Sequence, residues 1–285
     1  MGYYFSVLIK IFISFIQAVG AHLSLSQAGI FFLAIPVSYS FMAYSLAILQ
    51  KKFAFGVVSA FGIGLVLTFL LGLVLSYLYI RVSRESFTVL TAASIVGFEA
   101  FLKSFADLTG GVLGISGIMR PSFMKSLFAI VIVSGIVMIG MMMLEFLIFK
   151  APLGRKIRGM KESETLLESL SVSSSKVAVV LISMATVLSG FAGGLEILRV
   201  QFLDPSFGGF PNLILVASIA ILAQKPSVRT LFLSTLFVVL LPEILRFFNF
   251  HPSQMGHMRM LVYSGMLVVL IRNLSGKFKT NSRIV

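Results

Sequence analysis

The feature that most constrains this chain is a series of long apolar runs joined by short, mostly basic connections. Runs 4–19, 29–49, 53–80, 86–102, 126–149, 177–195, 211–223, 230–250 and 258–274 carry almost no charge. A helix needs about 20 apolar residues to cross about 30 Å of hydrocarbon, so most of these runs are candidate spans. Run 53–80 is long enough to tilt strongly or to extend past the bilayer. Run 211–223 is short enough to be a re-entrant half-helix. The fold class read from this pattern is all-α: a polytopic transmembrane helical bundle of eight to ten membrane segments, some of them broken or re-entrant, in a single domain over 1–285.

Composition identifies the solvent. Apolar residues make up 58% of the chain and charged residues 12%, with a mean hydropathy of +1.04. A soluble domain carries about 25% charged residues, and half that supply cannot hydrate a surface of this size. Soluble globular, disordered and fibrous classes are excluded, and lipid is the solvent for most of the chain. The net charge of +13 would raise the question of nucleic acid in a soluble protein. Here the bases sit in small clusters between apolar runs, with no aromatic-interleaved basic patch, as in the cytoplasmic loops of membrane proteins. No nucleic-acid partner is expected. Cysteine is absent, which removes disulfides, thiolate metal sites and Cys nucleophiles. The first run has the basic-then-apolar look of a signal peptide. Lys10 interrupts it and no small-x-small cleavage site precedes the next run, so it is read as a retained helix.

One hydrophilic segment dominates, residues 150–176, with Lys150, Arg155, Lys156, Arg158, Lys161 and Lys176 against Glu162, Glu164 and Glu168. The positive-inside rule places it in the cytoplasm, together with the basic C-terminal tail 275–285. Alternating outward from there puts Arg81, Arg84, Lys225 and Arg229 inside but Lys51 and Lys52 outside. That conflict requires either a re-entrant segment near the N-terminus or a different span count. Within the loop, Pro152 suits a helix start, and Ile157, Met160, Thr165, Leu166 and Leu170 recur as intermittent apolar contacts between the charges. Such a helix fits a membrane surface or a partner's groove, and a plain cytoplasmic loop remains an equal alternative.

Residues 151–172, APLGRKIRGMKESETLLESLSV, resemble the coupling loop of ABC-transporter permeases of the branched-chain amino acid type. Gly154, Arg155, Arg158, Lys161, Glu162, Glu164 and Glu168 fall on that family's loop positions. Three more stretches follow in the family's order: 21–29 (AHLSLSQAG), 108–121 (LTGGVLGISGIMRP) and 240–246 (LLPEILR). Three stretches depart from the pattern. Ser171 stands where the family usually has Gly, Leu166 and Leu167 stand where it has small Ala residues, and Ala223-Gln224-Lys225-Pro226-Ser227 replaces a Gly-rich turn.

The resemblance implies that 151–175 inserts into a separate ATP-binding subunit, and that a second permease, homologous or identical, encloses the solute path. It also implies an external solute-binding protein and an inner-membrane location. ATP and Mg would then be bound by the partner. This chain has no phosphate-binding G-x-x-x-x-G-K-[ST] loop, so no cofactor is expected on it and no catalytic role. The implied solutes are branched-chain or related amino acids, with urea, amides, sugars and nucleosides in neighbouring families. A standalone ion-coupled secondary transporter is the rival from another class; it would show more intramembrane acids and an inverted repeat. A structural subunit that has lost transport is a third reading.

The candidate pathway residues are Ser24, Gln27, Glu99, Thr109, Gly110, Gly111, Gly114 and Ser116. Ser24 and Gln27 are polar groups in an apolar surround and need partners from neighbouring helices or from water. Glu99 lies within a span, where charge is expensive, and reads either as a pathway contact or as the i,i+4 partner of Lys103. The glycine-rich stretch at 108–121 cannot be a regular span. It reads as non-helical backbone lining a path, the alternative being an external loop. His22, His251 and His257 show no metal or catalytic spacing and read as interfacial residues without a chemical role. Glu145 and Glu196 read as ordinary, solvated residues near span ends. Glu243 is a possible i,i+3 partner of Arg246. Gly190 and Gly194 form a small-xxx-small packing pair. Met138, Met141, Met142 and Met143 read as lipid-facing or core filling.

Overall fold

The computed structural model describes residues 2–169, 171–245, 261, 264–265 and 268, with backbone alone at 164–166 and 244–245. Candidate span 258–274, the tail 275–285 and Arg246 fall wholly or mainly outside these residues. The chain order is α1 (Gly2–Ala21), a π turn (His22–Gln27), α2 (Ile35–Lys51), α3 (Val57–Arg81), α4 (Arg84–Ser104) and α5 (Ala106–Thr109). Then follow β1 (Ile115–Ser116), α6 (Leu127–Lys150), α7 (Pro152–Glu162), α8 (Glu164–Ser169), α9 (Ser174–Val200), β2 (Phe202–Leu203), α10 (Phe210–Leu222) and α11 (Val228–Leu245). The all-α membrane bundle is therefore observed; β1 and β2 form only a two-residue antiparallel pair.

Five described helices are long and apolar enough to cross a membrane: Gly2–Gln27, Val57–Arg81, Arg84–Ser104, Leu127–Lys150 and Ser174–Val200. Their burial separates an axis from a periphery. The span window of α9 is 72% buried, against 22% in α3 and α4 and 17% in α6. The outer helices present Val66, Leu70, Val74, Val89, Ile136 and Ile139 outward, as a lipid-facing surface requires. Several starts follow from local chemistry. Ser83, Ser126 and Ser173 cap α4, α6 and α9 by accepting from the backbone N–H groups of Ser86, Ala129 and Lys176.

Helix α9 packs against α1, α2 and α3 because small residues let the backbones approach. A Cβ on Gly193 would lie 2.1 Å from the carbonyl oxygen of Tyr39, so no larger residue fits there. Gly190 meets Thr68 and Met42, and Gly194 meets Phe61 and Met42, the packing role read from their spacing.

One apolar run is not the element its length suggested. Run 29–49 starts with non-helical chain: Gly29 is left-handed (φ 71°), residues 28–34 leave the helix, and α2 begins at Ile35 with Pro36 in its first turn. Run 211–223 is α10, a 13-residue helix, short as expected. Both helices begin deep in the bundle. The Ile35 carbonyl accepts from Ser189 at 2.6 Å, and Asn212 pairs with Gln17, each roughly halfway along or deep within a long helix. From there α2 runs to one end of the bundle and α10 to the other, the end that carries α7. Lys51 and Lys52 consequently lie at the end opposite α7, where the Lys52 ammonium donates to the Asp107 carbonyl. That is where alternation from the basic loop puts them, so the broken α1–α2 connection does not bring these two lysines to the α7 end.

Ser171 and the 223–227 turn, the stretches expected to need glycine, are accommodated differently. Ser171 adopts φ 60°, the left-handed region that glycine occupies without strain. The 223–227 turn needs no left-handed residue. It is closed by Ser227 N–H donating to Lys225 O (2.7 Å) and by the Thr230 hydroxyl donating to Ser227 O (2.7 Å).

Candidate functional site

The chemistry-bearing groups gather in two places: a polar junction deep in the bundle and a hub beneath α7. At the junction, Gln17 on α1 donates through Nε2 to Asn212 Oδ1 (2.7 Å) and accepts from Asn212 Nδ2 (3.3 Å). Gln17 Nε2 also lies 3.4 Å from Ser189 Oγ, which donates to Ile35 O. Four elements are tied together here, beside the N-termini of α2 and α10. These termini are close neighbours: a Cβ on Gly208 would lie 2.2 Å from Pro36 O and 2.0 Å from Ser40 Oγ. Helix N-termini carry partial positive charge, so their meeting in an apolar surround favours acceptors and anionic groups. Glu99 is nearby. Its carboxylate is 2.7 Å from Lys103 Nζ and reaches toward Gly209, just before α10.

At the other end, α6 turns sharply into α7 (Pro152–Glu162). Gly154 makes the turn possible, since a Cβ there would lie 2.5 Å from Ile148 O and 2.8 Å from Phe149 Cα. Helix α7 buries Gly154, Ile157 and Met160 and exposes Arg155, Lys156, Arg158, Lys161 and Glu162. It is the amphipathic helix that the pattern from Pro152 suggested, with its charged face open. Lys161 Nζ donates to Ser26 O on the π turn at 2.6 Å. Glu168 on α8 accepts from Ser174 Oγ at 2.6 Å, while the Glu164 side chain lies outside the described residues.

Beneath α7 lies a buried network. His22 Nδ1 and Glu145 Oε1 are 2.5 Å apart, both side chains fully buried. His22 Nε2 is 3.0 Å from Gln27 Nε2, and Gln27 also donates to Gln224 O at 3.0 Å. The Phe149 ring meets His22 edge-on at 5.8 Å. Glu145 is therefore buried rather than solvated, and His22 lies inside the bundle. The π turn rotates His22 into the bundle toward α6, which an α-helical reading of the sequence did not foresee. The second oxygen of Glu145 has no hydrogen-bond partner among the described residues.

The remaining candidates are placed as follows. Ser24 donates to Gly20 O at 2.9 Å within its own helix. Thr109 is buried, and its hydroxyl bonds to Leu102 O (2.6 Å) and Phe105 O (2.8 Å). Gly110, Gly111 and Gly114 all have positive φ and shape the loop at the end opposite α7. Ser116 is exposed there, paired through β1 with Phe202. The structure thus joins Gln27 to the hub and sets Glu99 near the junction, while the 108–121 group forms a separate cap. In that cap Arg120 donates to Leu198 O at 2.7 Å. Burial, and then the charge of Arg199, pulls the Arg120 guanidinium below its ordinary pKa, yet it stays protonated at neutral pH. Glu196 pairs with Arg199 (2.8 Å). Glu243 accepts from the Tyr3 hydroxyl. No cluster of three or more His, Asp or Glu suited to a metal occurs among the described residues.

Sequence reasoning did not single out Gln17, Asn212 or Ser189, and it misjudged His22 and Glu145. Their signal is present: each is a polar group inside an otherwise apolar run, where an unpartnered polar atom is costly.

A bundle of apolar helices, two of them short and starting at depth, with an amphipathic charged helix between spans at one end, has the architecture of a multi-pass membrane protein. The family described as branched-chain amino acid transport system / permease component matches residues 3–271, and the chain belongs to it. Among curated relatives are the high-affinity branched-chain amino acid transport system permease proteins LivM of Salmonella typhimurium and Escherichia coli. Each is 21% identical over 284 residues, covering 90% of this chain and 65% of the relative. The chain thus spans about 65% of the length of those relatives. No solved structure matches it significantly.

Proposed function

We propose that this chain is the membrane-spanning permease subunit of an ATP-driven ABC importer for small polar solutes, branched-chain amino acids first among them. The observation that carries the reading is α7: a short helix fixed on its apolar face to α6, α9 and the π turn, with Arg155, Arg158, Lys161 and Glu162 presented outward. A groove on an ATP-binding subunit suits that face, since charged groups at its rim set register and partner choice. In this reading α7 and the C-terminal tail face the cytoplasm, a second permease completes the path, and an external solute-binding protein delivers cargo. ATP hydrolysis belongs to the partner, and the solute crosses by alternating access, with nucleotide state biasing two arrangements of the bundle.

The test is uptake into proteoliposomes holding the chain with its partner subunits. Uptake of labelled leucine, isoleucine or valine that requires ATP and the external binding protein supports the reading. Uptake driven by an ion gradient without ATP would make the chain a secondary transporter. ATP-dependent uptake of urea, an amide or a sugar in their place would retain the importer and change its solute.

A further inference from the structure

The π turn joins three parts of the molecule that no other described element connects in this way. Through Ser26 O it holds Lys161 of α7, and through the Ser26 hydroxyl and Gln27 it holds Ala220 O and Gln224 O at the end of α10. Through His22 it is fixed to Glu145 on α6, less than two turns before α7 begins. The other end of α10 carries Asn212, bonded to Gln17 at the deep junction. π segments are rare and are frequently found at functional sites; this one closes α1. A fully buried carboxylate beside a histidine is expensive unless the pair is needed.

We infer that the π turn His22–Gln27, fixed to Glu145, is the joint through which displacement of α7 reaches α10 and the Gln17–Asn212 junction. His22, Gln27 and Glu145 are positioning residues: they touch neither nucleotide nor, by their place in the fold, the junction itself. The inference rests on the proposed importer function. When α7 moves with its partner, α6 and the π turn move as one body because the His22–Glu145 contact holds them together. Helix α10 follows through Gln224 and Ala220. Without the contact, α7 still docks, since its charged face is untouched, but its displacement reaches the π turn only through Lys161 and helix packing, and α10 follows it less closely.

Two measurements test this. In proteoliposomes containing the whole transporter, Glu145→Leu is expected to leave assembly intact and ATP hydrolysis within about twofold of wild type. Solute moved per ATP should fall by about tenfold or more, and Glu145→Gln, which keeps an acceptor for His22, should recover most of it. A parallel fall in hydrolysis and uptake, or an unchanged ratio, would overturn the inference. The second measurement needs no partner. The chain has no native cysteine, so spin labels on Arg158→Cys and Lys225→Cys report α7 against the α10–α11 turn. The distance distribution should be narrow in the parent, broad with Glu145→Leu and narrow again with Glu145→Gln. Equal distributions in all three would reject the joint even if the importer reading stands. A wild-type chain that recruits no ATP-binding subunit while the labels behave as expected would remove the importer reading and leave the joint in place.

Discussion

At the scale of single residues, the backbone positions with least freedom give the sharpest expectations. Gly154 sits where any side chain would press on the carbonyl of Ile148. Gly154→Val should therefore cost about 1–3 kcal/mol through overpacking, read as a lower unfolding temperature in detergent, and should displace α7. Ser171 behaves in the opposite sense. A left-handed L-residue costs about 1–2 kcal/mol, more for a β-branched one. Ser171→Gly is expected to hold or raise the unfolding temperature, and Ser171→Val to lower it; equal effects would contradict the observed φ. That Ser171 takes a left-handed backbone was not legible, because nothing local in the sequence encodes φ.

At the scale of elements, apolar run length predicted the long helices well and the broken ones less well. The starts of α3, α4, α6 and α9 lie within a few residues of the runs read from hydropathy, because lipid demands apolar length and little else. Helix α2 was mis-started because residues 29–34 are as apolar as a helix; only Gly29 and Pro36 mark the break. The π turn left no signature in the 3.6-residue period, so the sequence could name Gln27 as a polar group needing a partner but could not turn His22 toward Glu145. The Gln17–Asn212 pair yields an element-level expectation. Gln17→Leu strands the Asn212 amide among apolar neighbours, a loss of about 1–3 kcal/mol. The Gln17→Leu/Asn212→Leu double variant should be more stable than Gln17→Leu alone, by thermal unfolding. Additive losses would mean that the two amides do not depend on each other.

At the scale of the whole molecule, the two broken helices and α7 lie at different depths of one bundle, joined by α1. That arrangement suits a protein whose solute path is deep and whose energy source docks at one face. The sequence marked α7 through its basic, amphipathic pattern and left Gln17, Asn212 and Ser189 unmarked. The path residues it named at 108–121 form an end cap, whereas the deep polar groups are single residues in apolar runs. The central claim is that α7 presents a docking face to an ATP-binding subunit, and affinity purification from gently solubilised native membranes tests it most directly. Tagged wild-type chain should bring down an ATP-binding subunit, and the Arg155→Glu/Glu162→Lys variant, folded and inserted, should recover at least about tenfold less. Wild-type chain recovered alone, under conditions that keep a known ABC complex intact, would contradict the account.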